Sequence, residues 1–184
     1  MPFIEKSVTI YRSSAQYLTS YLEPFAQLVL RLLVARVFLS SGLTKWSAPF
    51  QFNTDKYDLF LYEFFCPDPP RPGALQLCNA DTLEYVEGSL TVSIVELLAV
   101  AAGVLEVFLP VLLIFGFLTR FAAIGLLAMG LFIQFAVFPT WEHWWNPAVW
   151  WATALLVIVA HGPGTWSLDG LLRFDVLSVK RTST

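Results

Sequence analysis

The sequence predicts an all-α integral membrane protein, a four-helix bundle with a long outer loop between its first and second helices. Hydrophobic residues make up 57% of the 184 residues and charged residues only 14%, whereas soluble domains carry about 25% charged residues. The mean hydropathy is +0.64, and four apolar stretches approach the ~20 residues that a helix needs to cross the bilayer. The net charge of −3 is small and mixed, so the lipid bilayer is the expected partner and nucleic acid is not.

Four membrane spans follow from the apolar stretches. They are predicted at about residues 25–42, 93–118, 121–138 and 146–160. Only a few residues separate the second span from the third, so these two must form an antiparallel hairpin. Residues 1–184 are then a single transmembrane domain.

Local signals set the predicted ends of these spans. Pro24 is the start signal of the first span, and Asn146 followed by Pro147 is expected to cap and begin the fourth. The residues before Pro24 lack the pattern of a cleavable signal, so we expect them to be retained. Around Tyr17 and Tyr21 a short interfacial helix and a plain linker are equally compatible with the spacing.

The predicted outer loop, residues 47–91, is acidic and rich in proline, which favours an extended and partly irregular cap over a second folded domain. It contains both cysteines, Cys66 and Cys78. On an oxidising side of the membrane a disulfide is the leading interpretation. A catalytic dithiol and a metal pair are the alternatives, but the spacing is not C-x-x-C and histidine is not nearby.

Charged and polar residues inside the spans are the main candidates for function, because hydrocarbon rejects them unless they are paired. They are Arg31, Arg36, Glu96, Glu106 and Gln134. A rise of ~1.5 Å per residue puts Arg36 and Glu106 at similar depth on consecutive antiparallel helices. We therefore predict that these two form an intramembrane pair, either a structural ion pair or part of a catalytic site. Arg31 lies nearer the opposite boundary, where it is expected to snorkel.

The candidate site opens toward the outer face. Pro110 deprives the carbonyl of Glu106 of its helical donor, which leaves a polar backbone group beside a buried carboxylate. The side chains expected to bind a ligand there are Gln134, Glu96, Lys45 and Ser41, and Glu96 could pair with Lys45 at the mouth. No metal site is predicted, and His143 and His161 lie about 27 Å apart along the fourth helix, too far to ligate one haem.

Three segments of the sequence carry a resemblance to a known family. They are ARVFLSSGLTK ending at Lys45, the stretch from Glu106 through FGFLTRFAA, and HGPGTWSLDGLL at residues 161–172. Together they resemble the DoxX family of small four-helix membrane proteins, and the likeness extends over about residues 28–173. Arg36, Lys45, Glu106 and Arg120 fall on positions of the family pattern. The family often has histidine where Ser41 stands.

The resemblance implies a redox-linked or quinone-linked role in the membrane. The stretch TRFAAIGLLAMGLFIQFAVFP is similar to a subgroup encoded beside peptide-maturation proteins in bacterial metal-stress operons. It implies an inner-membrane protein with redox or peptide-maturation partners and a role in a stress response. Quinone is the implied cofactor, and a quinone-linked oxidoreductase component is one interpretation. A homo-oligomer is left open.

Two other classes of function compete with a quinone-linked role. A non-catalytic scaffold for an envelope complex would need the outer loop and the exposed faces but not the intramembrane charges. A transporter of a small molecule or metal ion would need a polar path to both sides, whereas the polar residues of this chain lie mainly toward one side.

The orientation follows from lysines and arginines near the ends of the spans. Lys6, Arg12, Arg120, Arg173, Lys180 and Arg181 fall on one side, and Lys45, Lys56 and Arg71 on the other. This bias predicts that both termini are cytoplasmic. Topology reporters fused after residues 80, 120, 142 and 184 should therefore report outside, inside, outside and inside. An inside signal at residue 80 would reverse the orientation.

Overall fold

The computed structural model describes residues 2–86 and 88–172, and it confirms an all-α membrane protein. In chain order the elements are α1 (Pro2–Leu43), β1 (Trp46–Ala48), β2 (Gln51–Phe52), α2 (Asp55–Asp58), α3 (Leu90–Phe115), α4 (Thr119–Phe132), α5 (Trp141–His143), α6 (Val149–His161) and α7 (Leu168–Leu172). Wider π-helical turns extend α2, α4 and α5 over Leu59–Phe64, Ile133–Val137 and Trp144–Ala148. Arg173, Lys180 and Arg181, which enter the charge count, lie outside the described residues.

The four long helices form a closed bundle in which α1 packs on α3, α3 on α4, α4 on α6 and α6 on α1. Its core contains Val34, Ala35, Phe38, Leu109, Leu113, Ala122, Leu126, Leu155 and Ile158. Among the described residues, three helical segments are long and apolar enough to cross a membrane, namely Lys6–Leu43, Leu90–Phe115 and Thr119–Val137. The fourth helix, α6, has 13 residues and completes the bundle beside them.

Two predicted span ends are wrong. The first helix begins at Pro2 and not after Pro24, which lies inside α1. Pro24 has no N–H group, so the carbonyl of Ser20, four residues earlier, loses its helical donor. Because Ser20 is exposed, this carbonyl is not buried without a partner. The fourth helical segment begins at Trp141, and Asn146 does not start it. Asn146 has a non-helical backbone (φ −149°, ψ 99°) and forms a kink before α6.

The outer loop is more ordered than an extended cap. Strands β1 and β2 form a small antiparallel hairpin. After them, Phe60, Leu61 and Phe65 are buried against Val95 of α3 and Val137 at the end of α4. Burial of these apolar side chains holds the loop on one end of the bundle, while the α3–α4 turn lies at the other end.

Backbone carbonyls at the end of α4, which have no donor within the helix, also hold the loop. The amide of Leu75 donates to the carbonyl of Ala136 at 2.7 Å, and the Arg71 guanidinium donates to the carbonyl of Val137 at 3.2 Å. The last carbonyls of a helix have no donor within it. The loop therefore completes the hydrogen bonding of this helix end.

The predicted disulfide between Cys66 and Cys78 is confirmed, with Cα atoms 5.6 Å apart. Cys66 is buried beneath the loop, and beside it the amide of Leu77 donates to the carbonyl of Phe65 at 2.8 Å. The bond closes the irregular half of the outer loop.

We predict that replacing both Cys66 and Cys78 by alanine loosens the loop and leaves the bundle folded. Closing a loop of this size is worth about 3 kcal/mol in chain entropy, so exchange of the Leu77 amide should accelerate by up to about 100-fold. Hydrogen exchange measures this, with amides of α3 as the internal control. Two freely alkylated thiols in unreduced protein from an oxidising compartment would contradict the assignment.

Candidate functional site

Glu106 forms its ion pair with Lys45, and the predicted pair of Glu106 with Arg36 is wrong. The Lys45 Nζ and Glu106 Oε2 atoms are 2.6 Å apart, and the two side chains are only 8% and 6% exposed. Arg36 lies on the exposed face of α1. Glu106 lies level with Gly42, about 9 Å along α1 from Arg36, and the helical phase also directs Arg36 away from α3.

The buried stripe of α1 explains this choice. Its members recur at three- and four-residue spacing and are Gln27, Arg31, Val34, Ala35, Phe38, Gly42 and, just past the helix end, Lys45. This is the spacing of one helical face. Arg36 falls between members of the stripe, whereas Lys45 continues it toward α3.

Gly42 brings the two helices close enough for the pair to form. A Cβ atom at this position would lie 2.8 Å from backbone atoms of Glu106, including the carbonyl oxygen that Pro110 leaves without a helical donor. Lys45 also donates to the hydroxyl of Ser41 at 3.3 Å. The Trp46 indole donates to the carbonyl of Gly103 at 3.3 Å, one helical turn before Glu106.

The remaining predicted site residues divide between this cluster and other places. Ser41 belongs to the cluster through its hydrogen bond to Lys45. Glu96 is half-buried about 15 Å along α3 from Glu106. The predicted pair of Glu96 with Lys45 is not formed, because Lys45 is bound to Glu106. Gln134 is buried at the end of α4 in a second polar cluster.

Gln134 organises the corner between α4 and α5. Its Nε2 donates to the carbonyls of Phe138 at 3.0 Å and Thr140 at 3.2 Å. These two acceptors fix the orientation of the amide, so its Oε1 faces Nδ1 of His143, with which it is hydrogen-bonded. His143 also stacks on Phe138 with ring centroids 4.9 Å apart, and the guanidinium of Arg71 lies 4.3 Å from the Phe138 ring centre.

The protonation of His143 follows from its surroundings. Burial lowers the pKa of this imidazole below its usual range, so the ring is neutral at pH 7. Because Gln134 presents an acceptor to Nδ1, the single ring proton lies on Nδ1. From the sequence, His143 was considered only as a haem ligand together with His161; the available signal was a second polar residue shortly after the helix-ending Pro139.

A cleft of about 420 Å³ lies beside this second cluster. It is lined by Gln134, Phe135, Pro139, Thr140, Trp141 and Trp144. The Oγ1 atom of Thr140 accepts a hydrogen bond from the backbone amide of His143 at 3.2 Å. The hydroxyl hydrogen of Thr140 is therefore left to bind another acceptor. Aromatic surface thus meets a small number of positioned polar groups, as is typical of small-molecule sites.

Arg31 does not snorkel; it is fully buried at the opposite end of the bundle. Its guanidinium donates to the carbonyls of Leu113 and Trp166. Nearby, the carboxylate of Asp169 accepts hydrogen bonds from the backbone amides of Leu118 and Thr119, each at 2.9 Å. Asp169 thereby caps the N-terminus of α4 although it lies outside that helix. The segment 161–172 therefore has a structural role.

The structure defines a small polytopic membrane protein with a buried ion pair and an aromatic cleft. The DoxX family model matches residues 26–139, and the chain belongs to this family. The match includes Lys45, Glu106 and Gln134 but ends before Thr140 and His143. Comparisons with curated proteins and with solved structures give no significant match.

We predict that Lys45→Met and Glu106→Gln each destabilise the protein, by about 3–5 kcal/mol where the remaining partner stays charged. The double variant should be milder than Lys45→Met alone, because no buried charge is then unpaired. Arg36→Met is the matched control and should not destabilise the protein, since Arg36 is exposed and lies outside the pair. Reversible unfolding in mixed micelles measures these differences. Equal destabilisation by Lys45→Met and the double variant would argue against direct coupling.

Proposed function

We propose that the protein is a redox-linked accessory component of a membrane complex that binds a quinone head group in the cleft beside Gln134. The observation that carries this proposal is the cleft itself, which Trp141 and Trp144 line together with Thr140. It replaces the expected location around Arg36 and Glu106, because Glu106 is bound to Lys45.

The chemistry of the cleft suits a quinone. A quinone head group is planar and neutral, and its carbonyl oxygens accept hydrogen bonds. The Thr140 hydroxyl and the indole N–H groups of Trp141 and Trp144 are donors, and the indole rings offer flat apolar surface. Both the hydrogen bonding and the shape of a quinone ring are therefore matched.

Gln134 and His143 are proposed as positioning residues for this site. Gln134 donates to the backbone carbonyl of Thr140, and His143 donates its amide to the Thr140 hydroxyl oxygen. Both contacts orient Thr140, and neither uses its hydroxyl hydrogen. Loss of the Gln134 side chain should therefore act on ligand affinity through the placement of Thr140, and the His143 side chain acts through its hydrogen bond to Gln134.

The protein would act with partners. Reduction of a quinone takes two electrons and two protons, so a redox partner protein is proposed to exchange the electrons. A peptide-maturation partner and a stress response, including metal stress, remain part of the same proposal. So do a location in the bacterial inner membrane and cytoplasmic termini.

A membrane scaffold is the second candidate, and the N-terminal half of α1 favours it. This half extends beyond the bundle core and exposes large apolar side chains, including Tyr11, Tyr17, Leu18, Tyr21 and Leu22. Such a face can pack on a partner helix. If a variant with serine at Tyr17 and Tyr21 loses cellular function and the wild type binds no quinone, the scaffold would be the better description.

We predict that the purified protein in lipid nanodiscs binds a benzoquinone and that Thr140→Val weakens this binding about tenfold. A hydrogen bond is worth about 1 kcal/mol net, which is the reason for this magnitude. Thr140→Ser should bind like the wild type, because serine retains both the hydroxyl donor and the helix cap. Equilibrium titration in the same lipid measures all three.

Glu96→Gln is the control for a polar change outside the cleft, and it should leave binding unchanged. An absence of binding by the folded wild type would contradict the proposed function. Equal quinone affinity of Thr140→Val and Thr140→Ser would instead show that the Thr140 hydroxyl does not bind the quinone.

A further inference from the structure

A second cavity lies on the membrane-facing side of α4. It is a groove of about 720 Å³ between this helix and residues 73–75 of the outer loop. Its helix wall includes Ala128, Leu131, Phe132, Phe135 and Ala136, which recur at the spacing of one helical face. Phe132 is 46% exposed and Phe135 is 68% exposed, so the groove is open toward the surrounding hydrocarbon.

The groove and the quinone cleft meet at Phe135, which lines both. Their outer walls also meet. Gly73 of the groove lies against Pro139 of the cleft, where an added Cβ would be 3.7 Å from the proline ring. The loop is held at this point by the hydrogen bond from Leu75 to Ala136. The cleft and the groove therefore adjoin each other, and Phe135 belongs to both linings.

The groove extends from the cleft in the direction that the tail of a membrane quinone requires. Gln134 lies near the end of α4, whereas Ala128 lies about 9 Å deeper along the same helix. The small side chains of Ala74, Ala128 and Ala136, together with Gly73, leave room for a branched hydrocarbon chain. The lining side chains carry no charge.

We propose that this groove holds the isoprenoid tail of the quinone whose head group lies in the cleft, an inference that rests on the proposed function. The occupant is thus a tailed membrane quinone and not a water-soluble one. Head group and tail are recognised by different residues, and Phe135 separates the two parts.

The test compares two ligands and two variants in lipid nanodiscs. The ligands are a benzoquinone with a full-length isoprenoid tail and the same benzoquinone with a methyl group in place of the tail, each titrated by mole fraction in the lipid. Ala128→Phe fills the groove from an exposed position on α4. Ala160→Phe places the same ring at an exposed position on α6 and is the matched control.

Ala128→Phe should weaken binding of the tailed quinone about three- to tenfold and leave the methyl analogue unaffected. The effect is modest because the surrounding lipid is as apolar as the groove, so only packing is lost. Ala160→Phe should change neither affinity.

Unchanged affinity of Ala128→Phe for the tailed quinone would overturn the groove assignment and leave the head-group site in place. Displacement of a spin-labelled phospholipid by Ala128→Phe, with quinone binding unaffected, would identify a lipid acyl chain as the occupant and also overturn it. Binding of neither quinone by the wild type would overturn the proposed function and this inference together.

Discussion

The close contact between α1 and α3 at Gly42 is the constraint on which one half of the bundle depends. A buried lysine or glutamate is tolerated in a membrane only when it is paired, and Lys45 reaches Glu106 because Gly42 lies against the Glu106 backbone. The pair sets the register of α1 on α3. It therefore also sets the point at which the chain leaves α1 to form the β1–β2 hairpin and the outer loop.

The helices could be predicted from the sequence, but the faces that they bury could not be predicted equally well. Apolar run length located the helices, and cysteine spacing with the expected compartment predicted the disulfide. Counting residues gave neither the position along α1 that meets Glu106 nor the rotation of α1 about its axis. The choice of Arg36 failed for that reason. The recurrence of Arg31, Phe38, Gly42 and Lys45 on one face would have favoured the correct partner.

The cluster around Gln134 was harder to predict, because it depends on how the chain turns after a helix ends. Gln134 was a candidate for its polarity alone, and His143 was considered only as a haem ligand. The turn at Pro139 brings the two side chains together, and sequence spacing does not encode the geometry of such a turn. Pro24 shows the converse difficulty, since a proline that usually starts a helix here lies inside one.

The position of Asp169 has a consequence for the order in which the protein is completed. This carboxylate caps α4 and lies beside the Arg31 partner Trp166, yet it is synthesised about fifty residues after the amides that it accepts. The α3–α4 hairpin is therefore synthesised before its cap. Until residues 166–169 are synthesised, the amides of Leu118 and Thr119 lack the Asp169 carboxylate and Arg31 lacks the Trp166 carbonyl. A chain truncated before residue 161 would insert its first three helices with that end of the bundle unsealed.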